Sequence, residues 1–286
     1  MTDTLMQMPG AGGLYARALG TARRKPGKNI RIPRIEVKVS AVHADPRRLG
    51  AYREICGFEL APDELPITFP QVQAAPLHMW LMLRPEFPIP LMGIVHVRNV
   101  FEVLKPMPAD ASYDVRAALT EGRRTHQGYE FDLLTEYTDA AGDIAYRSLM
   151  TPLYRMKTEG GPLRPKPAAP APVLSEYRSF DVPADIGRRY APIGGDFNPI
   201  HLYSLTAKAF GFPRAIAHGM WSLARAAALI ETARARPASR LSVQFRQPLL
   251  LPAKVALKFS AGNDEGSDFA LLSRTSDKVH FSGRIS

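Results

Sequence analysis

An aspartate, an asparagine and a histidine stand at 196, 198 and 201, inside the stretch YAPIGGDFNPIHLYSLTAKAFGFPRAIAHGMW at residues 190–221. A carboxylate and an imidazole at this spacing meet in one cleft if a loop runs into a first helical turn. Together they suit proton exchange with water or with a carbon acid. Asn198 and Pro199 supply the helix start, as N-cap and first helical residue. Asp196 then lies just outside the helix, near its positive end, where a carboxylate stays ionised. Gly194 and Gly195 free the chain to turn sharply ahead of the cap. Further on, His218 and Gly219 begin a long apolar helix. The first backbone N–H groups of such a helix polarise a carbonyl and hold the charge that develops on it. A packed or capping role accounts for His218 as well as catalysis does.

Other chemistries fit these residues less well. One Asp, one Asn and one His, with no second His or Cys close by in sequence, make a poor zinc or iron set, so no metal is expected. No serine sits in a nucleophile elbow, and Cys56 falls within a predicted helix. General acid–base work by Asp196 and His201, with no cofactor, fits best.

The elements that must hold the pair follow from periodicity and punctuation. Strands are predicted at 35–39, 93–100, 112–119, 129–137, 144–154, 177–182, 241–245, 254–260, 269–273 and 278–285. Helices are predicted from the N-cap Asp45 to Gly57, at 78–83 and at 215–235. Residues 139–143 and 262–266 read as hairpin turns. A Pro-rich run at 160–172 reads as a connector. It divides the chain into a basic, partly flexible segment at 1–34, domains at 35–158 and 175–286, and a linker at 159–174. Residues 1–12 are expected to be mobile.

The chain of 286 residues has a net charge of +10, concentrated early in Arg17, Arg23, Arg24, Lys25, Lys28, Arg31, Arg34 and Lys38. That excess is either a solvated arm or a patch for a polyanion. No nucleic-acid module follows it, so a phosphorylated small molecule is the better-fitting ligand and nucleic acid is not expected. The single cysteine, Cys56, leaves no intrachain disulfide framework. No signal-peptide pattern and no membrane-length apolar run are found, which points to a cytoplasmic protein without a membrane span.

The halves also repeat one another. Asp45-Pro46 through Gly57-Phe58 parallels Asn198-Pro199 through Gly211-Phe212; His78-Met79-Trp80 echoes His218 to Trp221; Val97-Arg98-Asn99 echoes Phe245-Arg246-Gln247. Laying Pro46 on Pro199 sets His43 against Asp196 and Arg48 against His201. The first half therefore lacks the Asp/His pair, and one active site is expected, in the second half.

The stretch resembles the signature of the MaoC-like dehydratases, the (R)-specific enoyl-CoA hydratase (hydratase 2) family. That signature runs as an aromatic residue, a short gap, Gly-Asp, one residue, Asn-Pro, an apolar residue and His. Tyr190, Gly195, Asp196, Asn198, Pro199, Ile200 and His201 fill every position, and His-Gly-Met follows at 218–220. Pro192 and Ile193 depart from the smaller residues often seen in the gap. The resemblance implies an α+β double hot-dog, two antiparallel sheets each wrapped around a helix. It implies that Asp196 and His201 activate a water that adds to C3 of a trans-2-enoyl thioester. Asn198 would help hold the site and the Gly219 N–H would polarise the thioester carbonyl. Gly195, His218 and Arg246 are expected to contact the substrate, with Arg246 or Arg98 toward the CoA phosphates. The substrate is expected to be an acyl-CoA or the same acyl group on acyl carrier protein. The protein would act as a monomeric pseudo-dimer or a homodimer, and a non-catalytic acyl-thioester binder is the alternative.

Overall fold

The computed structural model describes residues 2–27, 30–156, 174–261, 266–276 and 278–286. The Pro-rich connector at 160–172 and most of the turn at 262–266 lie outside these residues. The first half runs β1 (Thr2–Leu5), α1 (Ala11–Gly20), β2 (Glu36–His43), α2 (Pro46–Cys56), α3 (Phe69–Gln73), α4 (Ala75–Leu83), β3 (Ile94–Val103), β4 (Ser112–Thr125), β5 (Gly128–Thr138) and β6 (Ile144–Arg155). The second runs β7 (Glu176–Val182), α5 (Ile186–Gly194), α6 (Pro199–Leu202), α7 (Ser204–Ala209), α8 (Gly219–Arg234), β8 (Arg240–Phe245), β9 (Ala253–Phe259), β10 (Ser267–Ser273) and β11 (Val279–Ile285).

The strands form one sheet in the order β1-β2-β4-β5-β6-β3-β8-β11-β10-β9-β7. Setting β1 aside, the order β2-β4-β5-β6-β3 in the first half is repeated as β7-β9-β10-β11-β8 in the second. The halves meet where β3 pairs antiparallel with β8, Phe101 opposite Leu241. α8 buries Trp221, Leu223, Ala224, Ala226, Ala227, Ala228 and Ile230, a distribution apolar on most sides that marks a helix enclosed by its sheet. Phe259, Phe269 and Phe281 supply buried side chains from the surrounding strands.

The first-half counterpart of α8 is broken. Pro76 has no N–H to give the Val72 carbonyl, so α3 ends at Ala74 and α4 starts anew. The Val72 carbonyl takes a backbone N–H at the end of α3 and also accepts from Arg48 Nη2 at 3.4 Å. His78 consequently lies inside α4, bonded to Thr135 Oγ1 at 2.7 Å, whereas His218 caps α8. The echo between these two histidines is therefore not positional. The helix echo holds better: Asp45 and Asn198 both cap helices, and Gly57 and Gly211 both turn left-handed, at φ 80° and 84°. Arg98, by contrast, lies inside β3 and Arg246 beyond the end of β8. α2 is nevertheless continuous, whereas its partner divides at Tyr203 into α6 and α7. α8 starts at Gly219 rather than 215, because Ala217 N–H is drawn to the Leu249 carbonyl and Ile216 bridges Leu250.

The start of the chain corrects the expectation of a mobile arm. β1 pairs in parallel with β2, and α1 packs Leu14 and Ala18 against Leu83. Arg24 donates to the carbonyls of Met82, Leu83 and Arg84, filling acceptors at the end of α4 that no helix N–H can reach, and to that of Ile89 in the following loop. Among the described residues no helix is long and apolar enough to cross a membrane.

Candidate active site

α5 ends at Gly195, whose φ of 71° turns the chain out of the helix and toward the site. Arg48, the first-half counterpart of His201, holds this end from below by donating Nε to the Ile193 carbonyl at 2.8 Å. Asp196 follows, and its Oδ1 accepts from Asn198 N–H at 3.0 Å, a local turn typical of aspartate. Asn198 Oδ1 in turn accepts from Ile200 N–H, so the same loop caps α6.

α6 presents His201, buried to 9% exposure, with Nδ1 2.9 Å from the Ile216 carbonyl. A carbonyl only accepts, so Nδ1 carries a hydrogen, and in the neutral form of the ring Nε2 is the atom with the lone pair. That atom faces Asp196 Oδ2 across 3.7 Å. His218 is more deeply buried, at 2%, and donates Nε2–H to the Asp196 backbone carbonyl at 2.9 Å. Its ring stacks on His201 with centroids 3.9 Å apart, and Tyr190 packs beside it at 5.0 Å. Burial, followed by the neighbouring His201, pushes the His218 pKa down to about 4, so it stands neutral beneath the pair. Burial also raises the Asp196 carboxyl, but His201, His218 and the hydrogen bonds from Tyr15 and Asn198 outweigh it and hold the group below its ordinary value.

Gly219 opens α8, so its N–H has no acceptor within the helix. A Cβ at this position would come within 3.1 Å of the Phe245 ring. The structure thus gathers Asp196, Asn198, His201, His218 and Gly219. Gly195 shapes the turn, and His218 supports the pair from a buried position. Arg246 is exposed one residue beyond Phe245, donating to Ser282 Oγ and Gln244 Oε1. Arg98 is ion-paired with Glu130, which ties it into the sheet surface.

Two features lay outside the reach of spacing. His218 adds a second imidazole, so that ligand atoms of Asp196, His201 and His218 lie within 4.8 Å of one another. A metal would have to displace the Nε2–H bond that His218 makes to the Asp196 carbonyl, and the other nitrogen of His218 is buried. The arrangement is that of a supporting residue rather than a free ligand. The second feature is Tyr15, whose hydroxyl donates to Asp196 Oδ1 at 2.7 Å from far upstream in sequence. A lone tyrosine in a Gly- and Ala-rich segment carries no pattern that links it to Asp196.

Two helix-wrapping half-sheets, with an Asp–His pair in one of them and a helix N-terminus beside it, define a double hot-dog. Residues 164–279 match the MaoC like domain. The chain is 33% identical to 3-hydroxyacyl-thioester dehydratase X of Mycobacterium tuberculosis, over 98% of this chain and 99% of that protein. The crystal structure of HtdX from the same organism superposes with a TM-score of 0.74 at 31% identity, covering 87% of this chain and 98% of that one. A Mycobacterium tuberculosis protein described as a double hotdog superposes with a TM-score of 0.58 at 9% identity, over 93% and 96% of the two chains, a likeness of fold alone. The chain therefore belongs to the MaoC-like dehydratases and is a hydro-lyase.

Proposed function

We propose that the protein interconverts trans-2-enoyl-CoA and (R)-3-hydroxyacyl-CoA thioesters, with Asp196 and His201 activating the water. The observation that carries the reading is the 3.7 Å gap between Asp196 Oδ2 and His201 Nε2. With the His201 ring neutral both atoms are acceptors, so neither bonds the other, and one water donating to both satisfies the pair with its oxygen lone pairs turned outward. In hydration that oxygen attacks C3, an O–H bond of the water breaks, and the electrons of the C2–C3 double bond take up a proton at C2. The pair accepts one proton and returns one, so it ends as it began. Negative charge passes through the thioester oxygen on the way, and the free Gly219 N–H supplies a fixed donor for it. The relative named for 3-hydroxyacyl thioesters supports the substrate class. The resemblance to (R)-specific hydratases supports the stereochemistry, and the net charge of +10 favours a phosphate-bearing carrier.

The test is loss of enoyl absorbance with crotonyl-CoA and longer trans-2-enoyl-CoAs, the product configuration being read by chiral separation. Asp196→Asn and His201→Ala each lower the rate by roughly 10² to 10⁴, as expected for removal of a general acid or base. Parental rates in both variants would sink the mechanism.

A further inference from the structure

The family signature does not contain Tyr15, yet the structure delivers it to the catalytic carboxylate. We propose that Tyr15, presented by α1, is a positioning residue: its hydroxyl fixes Asp196 Oδ1 so that Oδ2 alone faces His201 Nε2. Its effect on turnover rests on the hydratase reading above; the contact itself rests on geometry.

Asp196 Oδ1 receives both Tyr15 Oη–H at 2.7 Å and Asn198 N–H at 3.0 Å. Oδ2 is left as the oxygen that looks across 3.7 Å to His201. A carboxylate anchored at one oxygen cannot rotate to exchange the roles of the two. The donor suits its task, because burial and then the charge of Asp196 hold the phenol proton far above its ordinary range, so Tyr15 donates and does not ionise. Its ring meets Phe197 edge-on at 6.1 Å, which sets its orientation.

The segment that carries Tyr15 is held independently of Asp196. Leu14 and Ala18 are buried with Leu83, and Met79, Trp80 and Leu91 pack around them. Upstream, β1 lies on β2; downstream, Thr21 Oγ1 accepts from Leu91 N–H and Arg24 grips the end of α4. These anchors all belong to the first half. Tyr15 therefore carries the framework of one half to the catalytic carboxylate of the other.

Tyr15→Phe keeps the ring and deletes only the hydroxyl. Carbon-13 NMR of the aspartate side-chain carboxyls, with Asp196 identified by its loss in Asp196→Asn, reads the contact directly. In Tyr15→Phe the Asp196 carboxyl titrates at higher pH than in the parent, because a donor to its charged form is gone. With an enoyl-CoA substrate, kcat falls roughly tenfold or more, KM stays near the parental value, and the acid limb of the pH profile moves upward. Arg17→Ala, exposed on the same helix, keeps the parental titration and rate. An unchanged Asp196 titration in Tyr15→Phe overturns the proposal, and so does a reduced kcat with an unmoved acid limb. A parent with no turnover on any chain length sinks the hydratase reading instead, while the carboxyl titration still decides for or against Tyr15.

Discussion

Alanine at 219 would set a methyl group 3.1 Å from the Phe245 ring, at the helix end proposed to polarise the substrate carbonyl. The ring must give way or the helix end must shift. Gly219→Ala is expected to lower kcat by roughly tenfold or more while the unfolding midpoint stays close to the parental one. Steady-state kinetics with thermal melts check this, and a parental kcat would remove the steric argument. At this scale the placement of Asp196, Asn198, His201 and Gly219 in one cleft was legible because it is written locally, by a cap, a proline and a helix start. His218 was placed in the right neighbourhood but not in its supporting position, which depends on a hydrogen bond back to the Asp196 carbonyl. Tyr15 was illegible, since only the packing of α1 on α4 brings it to Asp196.

Arg48 joins three elements: it sits in α2, donates to Ile193 in α5 and reaches the Val72 carbonyl in α3. Arg48→Met removes these donors and leaves the Ile193 carbonyl short of its partner, which costs about 1–3 kcal/mol. Urea denaturation measures the loss; an unchanged midpoint would show that water replaces Arg48 without penalty. The limits of α2 were readable from Asp45, Pro46 and Gly57, and most strands from their alternation. α5 was hidden because Pro192, Gly194 and Gly195 read as a loop, although Pro192 is accommodated inside the helix. α3 was hidden too, since Pro66, Pro70 and Pro76 read as irregular chain ahead of the helix at 78–83. β1 and α1 carry too little pattern of their own and exist by virtue of the surfaces they cover.

For the whole molecule, buried ionisable groups give stability a dependence on pH. Burial lowers His78 to about 3 and His218 to about 4, so between these values and 6.5 the unfolded chain binds protons that the folded chain refuses. Stability is then lost as pH falls through that window, by about 1.4 kcal/mol per pH unit for each histidine. Glu231 works in the opposite sense. Burial raises it from 4.5 to about 7, so stability is lost as pH rises between those values. Glu231→Gln keeps an acceptor for Ala238 N–H and removes the charge. Its gain in unfolding free energy over the parent is expected to be larger at about pH 8 than at about pH 5. Denaturant titrations at the two pH values check the sign, and an equal gain at both would refute the burial argument.

The seam between β3 and β8 joins the two halves within one polypeptide, in five antiparallel pairs from Arg98–Gln244 to Glu102–Arg240. Two separate subunits meeting along such a seam would part on dilution, and the Asp196 carboxylate would lose the hydrogen bond that Tyr15 gives it from the other half. Here the tether makes that encounter independent of protein concentration. The framework around Asp196 is accordingly as complete in a dilute solution as in a crowded one.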